Sequence, residues 1–381
     1  MLHTDTYVLE NTKNINLNYQ VIQSWRMVTT TKYGRCYRFF ESDAWKNKYN
    51  MDAYVEEDYQ PDYTDEEASD CNIEIVPHGE AKFKHTFHVA KTFFPFIIGS
   101  KNGVRKRIEI ETKTTIQVPK QDGDIVIIGS DRRGIFSARH RIELLIEVSR
   151  KKLNYTHFLN IPLNKEEIIT NFNLFKKDVI QKFGGVARGI DELLFQKPHK
   201  LHLSLVMLTL LDEEERKQAV KTFMDCKQHI IDPFIEKYGP ITVNLKGIEC
   251  MNDDPSSVKI IYAAVKTKND ALQTLSDDIV DYFAEMGFVT EKKNHVKLHA
   301  TFMNTRYRNE VNKPDKNTEK TFDATQLLNE YKDTSFGTMI LNEIHLSQLK
   351  SASSNDYYQA TAKIKLDEKK ISVTNVVAYP V

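Results

Sequence analysis

The sequence predicts an α+β chain, in which a small basic module precedes a larger α+β domain made of two similar halves. Three observations predict it. A Lys-Leu-His tripeptide opens an apolar, strand-like run twice, at Lys200–Leu205 and at Lys297–Phe302, 97 positions apart. Residues 81–152 alternate strand and helix patterns around a glycine loop and hold 16 Lys/Arg against 7 Asp/Glu, so a chain of zero net charge has one strongly positive part. Hydrophobic residues make up 40% of 381, enough to bury the cores of two or three domains.

Residues 1–78 form an N-terminal region with the weakest patterning. Tyr19–Val28 reads as a strand, and Ala44–Tyr49 is charged and aromatic. Between Asp52 and Asp70 stand nine acidic residues and no basic one, interleaved with Tyr54, Tyr59 and Tyr63. Such a run reads as a solvated, disordered linker. It also reads as a docking strip for a partner, or as an internal mimic of nucleic acid lying on the basic module.

Residues 79–153 hold that module. Ala81–Ala90 alternates as a strand, and Lys91–Ile98 is a helical turn or two running into Gly99-Ser100-Lys101-Asn102-Gly103. Val104–Thr112 places Val104, Ile108 and Thr112 on one helical face. Thr115–Pro119 and Ile125–Ile128 are short strands joined by the turn Gln121–Asp124. Asp131 is placed to cap a last helix with the apolar stripe Ile135, Ile142, Leu145 and Ile146.

Residues 154–381 hold the duplicated domain. Thr156–Leu163 is a strand and Lys165–Phe183 a helix, followed by the first motif strand and an acid-capped helix over Asp212–Lys237. Strands at Ile241–Ile248 and Ser257–Val265 and a helix at Asp270–Met286 lead to the second motif strand. After it, Thr305-Arg306-Tyr307-Arg308 and a polar stretch to Lys320 read either as a lid or rail for nucleic acid or as a variable surface loop.

Side chains alternate faces along a strand, so His202 shares a face with Ser204, and His299 with Thr301. Two such strands facing each other would bring two imidazoles and two hydroxyls around one small volume. That set suits phosphodiester chemistry. One imidazole takes a proton from the attacking oxygen, the other gives one to the leaving oxygen, and the hydroxyls hold the phosphoryl oxygens. A third His-x-Ser, His345-Leu346-Ser347, lacks the preceding Lys-Leu. It is expected as an ordinary strand histidine beside the cleft, lining or supporting it.

These paired motifs resemble the 2H phosphoesterase superfamily. The resemblance implies a bilobal, pseudo-symmetric, LigT-like domain with His202 and His299 catalytic, Ser204 and Thr301 binding phosphate, and no metal requirement. The element order of residues 81–152 and the Ile97-Ile98-Gly99 loop resemble a type I KH domain, a clamp for single-stranded nucleic acid. Its clamp residues here are Gly99, Ser100, Lys101, Asn102 and Gly103, with Arg105 and Lys106 on the following helix. Where a strict Gly-x-x-Gly loop has a second glycine, this chain has Asn102. Asn tolerates a left-handed backbone, so the turn is expected to survive, with a less open approach for the ligand.

A KH module followed directly by a 2H domain resembles the family of activating signal cointegrator complex subunits, over residues 75–381. Gly247–Pro255 and Val296–Thr301 read like that family. The resemblance implies a nuclear protein, partnered by a helicase and other subunits of that complex, with roles in transcriptional coactivation and alkylation-damage repair.

Two functions remain from different classes. The first is a metal-independent phosphodiesterase acting on single-stranded RNA, at ends or cyclic phosphates. The second is a non-catalytic nucleic-acid-binding adaptor whose 2H cleft only recognises a phosphate. Intact chemistry at all four motif positions favours the enzyme, while RNA and single-stranded DNA both remain open as ligands. No cofactor motif, metal-ligand spacing or run of 18 apolar residues is present, and Met1–Tyr7 is no signal peptide. A soluble intracellular chain without cofactor or membrane is therefore expected, its Cys36, Cys71, Cys226 and Cys250 reduced.

Overall fold

The computed structural model describes residues 73–266, 270–289, 295–308, 320–351 and 356–366, and the backbone alone of 26–32, 35–41 and 309–311. Two compact units divide the chain, Met1–Glu74 and Ile75–Val381. The first contributes an antiparallel hairpin, β1 (Arg26–Lys32) and β2 (Arg35–Glu41), with Arg26 opposite Glu41 and Lys32 opposite Arg35. The strand expected over Tyr19–Val28 meets this hairpin only at its last three residues. The rest of that strand, Ala44–Tyr49, the acidic run 52–70 and the polar residues 312–319 lie outside the described residues.

The second unit opens with β3 (Val76–Pro77) and β4 (Phe83–Phe87), then a single turn at Lys91–Phe93 and α1 (Phe94–Ile98). There follow α2 (Gly103–Thr112), β5 (Thr114–Gln117), β6 (Ile125–Gly129) and α3 (Arg132–Arg150). The antiparallel sheet runs β3-β4-β6-β5. Alternation along β5 and β6 sends Ile116, Ile125 and Ile127 inward against Phe93, Ile97 and Ile108 of the helices, all buried. Asp131 caps α3 as expected, accepting from the backbone N–H groups of Arg133 and Gly134. The buried stripe of α3 is Ile135, Ala138, Ile142 and Ser149, whereas Leu145 and Ile146 flank it half-buried. The helical period carries those two off the sheet-facing side toward its edge.

The remainder is built on one eight-stranded antiparallel sheet in the order β12-β9-β10-β11-β8-β7-β13-β14. Its strands are β7 (His157–Pro162), β8 (His202–Leu208), β9 (Thr242–Cys250), β10 (Ile260–Lys266), β11 (His299–Asn304), β12 (Ser335–Ile340), β13 (Glu343–Gln348) and β14 (Ala360–Lys365). This order splits into two four-stranded halves that meet at β11 and β8. The motif strands therefore lie side by side in one sheet instead of facing each other across a gap. The two halves are stitched together by their helices. Helix α4 (Glu166–Phe183), between β7 and β8, packs on β12 of the other half, and α7 (Ala271–Glu285), between β10 and β11, packs against β8. One continuous core results, around Phe172, Phe175, Phe302 and Phe336, whose rings meet edge to face.

Two local departures have simple causes. The helix expected over Asp212–Lys237 is α5 (Glu213–Cys226) and α6 (Asp232–Tyr238), joined by a wide π-type turn at Lys227–Ile231. Pro233 near the start of α6 removes a backbone donor, and the ladder loosens there. In β9, Gly247 has φ +72, and a Cβ there would meet the Lys332 carbonyl oxygen at 2.3 Å. Only glycine fits this kink, where the register of β12 on β9 shifts.

Helix α5 also joins the basic module to the large sheet. Arg150, at the end of α3, donates to both carboxylate oxygens of Glu215 (2.5 and 3.2 Å) and to the Thr209 carbonyl (2.6 Å). Its guanidinium stacks 4.8 Å over Phe93. His88 Nε2 lies 2.8 Å from Asp212, the N-cap of α5. Among the described residues no helix is long and apolar enough to cross a membrane.

Candidate active site

The sheet brings the two motifs together. Ala300 pairs with Leu203, so one step outward in this antiparallel register His299 lies beside Ser204 and Thr301 beside His202. The alternation makes Leu203, Leu205 and Ala300 buried and leaves all four motif side chains on the opposite, half-buried face. Each histidine is thus the cross-strand neighbour of the other motif's hydroxyl residue.

Both rings are held by the same device. His202 Nδ1 lies 2.7 Å from the Lys200 carbonyl oxygen and His299 Nδ1 2.6 Å from that of Lys297. A carbonyl can only accept, so each Nδ1 carries a proton and Nε2 is the nitrogen left to take or give one. His202 Nε2 accepts from the Ser204 hydroxyl at 3.1 Å. Each ring also has a tyrosine at its edge: Tyr358 at 5.4 Å from His202 and Tyr262 at 5.5 Å from His299, between ring centres. Over each tyrosine sits the motif lysine, Lys200 at 4.7 Å and Lys297 at 5.0 Å. The repeat therefore extends beyond the histidine and hydroxyl to a Lys–Tyr pair in each half.

The surroundings differ. Phe158 closes the second side of His202 at 5.1 Å, and this apolar enclosure holds its pKa down to about 4. The neighbouring His299 and Lys200 push in the same direction, while the hydrogen bond to the Lys200 carbonyl opposes it. Tyr262 keeps its proton, because burial and its hydrogen bond to Glu249 (2.8 Å) raise its pKa. From Ser204 and His299 a cavity of about 330 Å³ extends along β8 toward Arg150 at the end of α3 and Lys151 just beyond it. It occupies the wedge where β8 and residues 295–298 diverge beyond the single Ala300–Leu203 pairing.

The other expected residues fall into place differently. His345 is buried on β13 with β7 between it and β8, its ring near Tyr357 (5.8 Å) and its Nε2 3.1 Å from Glu343. It lies two strands from the His202 motif and does not line the cavity. Arg308, read as part of a lid or rail, belongs to α8 (Arg306–Val311) and is buried, with its guanidinium on the Gly189 carbonyl and on Asp191. It is a structural tie for the preceding loop. Tyr307 is likewise engaged, its hydroxyl accepting from Gln196 at 2.6 Å.

In the basic module, Gly99 has φ +68, and a Cβ there would meet Val104 Cγ2 at 2.3 Å, so this glycine is required. Lys101 (φ 50) and Asn102 (φ 63) are both left-handed. The turn survives the Asn as expected, with a second left-handed residue beside it. Gly103 is ordinary helix, and nothing lies within 4 Å of where its Cβ would be. Its missing side chain keeps the loop's outer surface low. Arg105 lies 3.9 Å from Glu109 on the same helix.

Sequence reasoning does not single out Tyr262, Tyr358 or Phe158. Tyr262 has a signal, being a lone polar-tipped ring in the aliphatic run Ile260–Val265. Tyr358 has none, since it reaches His202 from more than 150 positions away.

The fold and this site define a 2H phosphoesterase-like domain preceded by a KH domain. The family described as AKAP7 2'5' RNA ligase-like domain matches residues 155–366, and KH domain matches residues 84–144. The Mus musculus protein "Activating signal cointegrator 1 complex subunit 1" is 36% identical over 312 residues, 77% of this chain and 86% of its own length. The chain belongs to the family of that subunit. An uncharacterized Schizosaccharomyces pombe protein is 27% identical over 156 residues, 39% of this chain and 66% of its own length. Among solved structures, one described as a phosphoesterase matches with TM-score 0.36 and 12% identity over 56% of this chain and 99% of its own. E. coli LigT complexed with NADP+ matches with TM-score 0.33 and 13% identity over 56% of this chain and 98% of its own.

Proposed function

We propose that the chain is a phosphodiesterase acting without metal on single-stranded RNA, at ends or cyclic phosphates, with residues 79–153 as the KH clamp and 154–381 as the catalytic domain. The observation that carries this reading is the matched pair of imidazoles, each fixed through Nδ1 and each offering Nε2 on one face of the sheet. In the reaction, an attacking hydroxyl gives its proton to His202 Nε2 as its oxygen bonds to phosphorus. The bond from phosphorus to the leaving oxygen breaks, and that oxygen takes a proton from the imidazolium of His299. Ser204 and Thr301 donate to the non-bridging oxygens, where charge accumulates. His202 suits the base because its enclosure keeps it neutral at pH 7. Attack by a 2′-hydroxyl confines that step to RNA.

The test is incubation of wild type and the His202→Ala/His299→Ala double variant with oligoribonucleotides of defined ends, in chelator. Cleavage by wild type alone is the expected result, and activity that needs added metal would sink the mechanism. One observation favours the adaptor reading: Ser204 occupies His202 Nε2, and must turn away before that nitrogen takes a proton. An adaptor would bind the same oligonucleotides in this assay and leave them intact.

The KH half of the reading places Gly99, Ser100, Lys101, Asn102, Gly103, Arg105 and Lys106 along the nucleic-acid backbone. Replacing Lys101 and Asn102 by Asp is expected to weaken binding of single-stranded RNA whatever its sequence. For every phosphate no longer neutralised, the log–log salt slope becomes shallower by about 0.7. Fluorescence anisotropy at two salt concentrations reads both effects. The family resemblance further supports a place in the nucleus, among the helicase and other subunits of the activating signal cointegrator complex, with a part in transcriptional coactivation and alkylation repair. Co-purification of the tagged chain with that helicase from nuclear extract tests it, and recovery without the helicase counts against it.

A further inference from the structure

A second cavity, also of about 330 Å³, opens at the opposite end of β7 and β8 from the histidine pair. His202 pairs with Pro162 at one end of the two strands and Leu208 with His157 at the other, a separation of roughly 20 Å. Thr156 and His157 line it from β7, Arg216 from α5, and Gln348 and Lys350 from the end of β13. Tyr155 lines this cavity and the catalytic one, so the two are neighbours.

His157 is 5% exposed, and its Nε2 has no hydrogen-bond partner. Its Nδ1 is 2.9 Å from the Thr156 hydroxyl oxygen. That hydroxyl has one proton, and the Leu210 carbonyl at 3.1 Å can only accept it. With that proton on the carbonyl, Nδ1–H donates to Thr156, whose oxygen also accepts from the Leu210 N–H at 2.9 Å, and Nε2 is a bare acceptor lining the cavity. Burial first, then the charge of Arg216, holds this imidazole's pKa down to about 4, so it is neutral at pH 7. Arg216 Nε is itself buried without a hydrogen-bond partner. Neither Arg216 nor Lys350 has a carboxylate within ion-pair reach among the described residues. Two cations and one buried acceptor thus share a cavity with no group among the described residues to complete them, and a buried polar atom left so is costly.

The ligand these groups fit carries both negative oxygens and a proton of its own. Arg216 and Lys350 take the oxygens, and Nε2 takes the hydroxyl. Sulfate and carboxylates at neutral pH have no such proton, and neither does a backbone phosphodiester. Free phosphate keeps one throughout the neutral range, and a phosphate monoester, with its second pKa near 6, keeps one in its monoanion. We propose that this cavity is a binding site for a monoesterified or free phosphate group, separate from the histidine pair. The two sources are inorganic phosphate and the phosphorylated end of a nucleotide.

The experiment uses the full chain and calorimetric titration with inorganic phosphate, sulfate and 3′-AMP. Binding is expected to persist in the Ser204→Ala/Thr301→Ala chain and to fall at least tenfold in the Arg216→Gln/Lys350→Gln chain. Sulfate is expected to bind at least tenfold more weakly than phosphate. Tighter binding of 3′-AMP than of phosphate assigns the site to a nucleic-acid end, and equal binding assigns it to free phosphate. A second reading needs no substitution: in 1H–15N spectra of the imidazoles, the Nε2 resonance of His157 should move when phosphate is added. Binding that vanishes with the cleft hydroxyls, sulfate as good as phosphate, or an unmoved His157 resonance would each overturn the proposal.

Discussion

The two copies of Lys-Leu-His-x-Ser/Thr hold their imidazoles by one device and surround them by two. Nδ1 of each ring donates to the carbonyl two positions upstream, and each has a tyrosine at its edge with a lysine above it. His202 has Phe158 closing a second side and a hydroxyl of its own motif on Nε2. In the other copy Thr301 stands where Ser204 does, and Tyr262 sends its hydroxyl to Glu249. The geometry occurs twice, and packing encloses the His202 copy and lowers its proton affinity. The proposed acid–base pair would use that enclosure, since two identical groups compete for the same protonation state.

Removing either ring breaks the comparison most severely. His202→Ala and His299→Ala are each expected to slow cleavage of a defined oligoribonucleotide by roughly 10²- to 10⁴-fold, and a copy whose loss changes nothing is no partner in the reaction. Unshielding one ring comes next. Tyr358→Leu opens His202 to water, so the acid limb of the pH–rate profile should climb from about 4 toward the ordinary imidazole value of about 6.5. Tyr262→Leu should leave that limb in place, and equal movement in both variants would mean the copies are not differentiated by packing.

The hydroxyls sharpen the comparison on a smaller scale. Ser204→Ala and Thr301→Ala are each expected to cost about tenfold in rate, the worth of one charge-assisted hydrogen bond, with little change in melting temperature. Smallest is the effect of pH on stability. His202 and His157 have folded pKa values lowered to about 4, so the unfolded chain binds more protons between about 4 and 6.5. Their contribution is complete above about pH 6.5 and is lost as the pH falls toward 4. His202→Gln should flatten part of that slope in chemical denaturation series, and an unchanged slope would deny the ring's enclosure.

How much of this was legible in the sequence varied with the range of the interaction. Strand and helix periodicity located β7, α4 and both motif strands to within three residues, because each has a buried face with a fixed repeat. The KH elements and the Asp131 cap were equally plain, being local. The four motif side chains were legible because duplication repeats them. Not legible was the joining of both halves into one sheet, which depends on the single Ala300–Leu203 pairing. Nor was the burial of Arg308, whose charge suggests solvent although the Gly189 carbonyl and Asp191 surround it. Phe158 and Tyr358 are ordinary residues in sequence and become specific only at His202.

The backbone carbonyls that orient the two rings have a consequence for how this site tolerates change over generations. In many acid–base sites a side-chain carboxylate orients the histidine, and one base substitution in the gene deletes it. Here the orienting atoms belong to residues 200 and 297 whatever side chains those positions carry. A coding change at Lys200 or Lys297 removes a cation and leaves the ring aimed. The aim is lost only if the backbone leading into each strand is displaced, so the geometry of the pair can persist while the side chains around it drift.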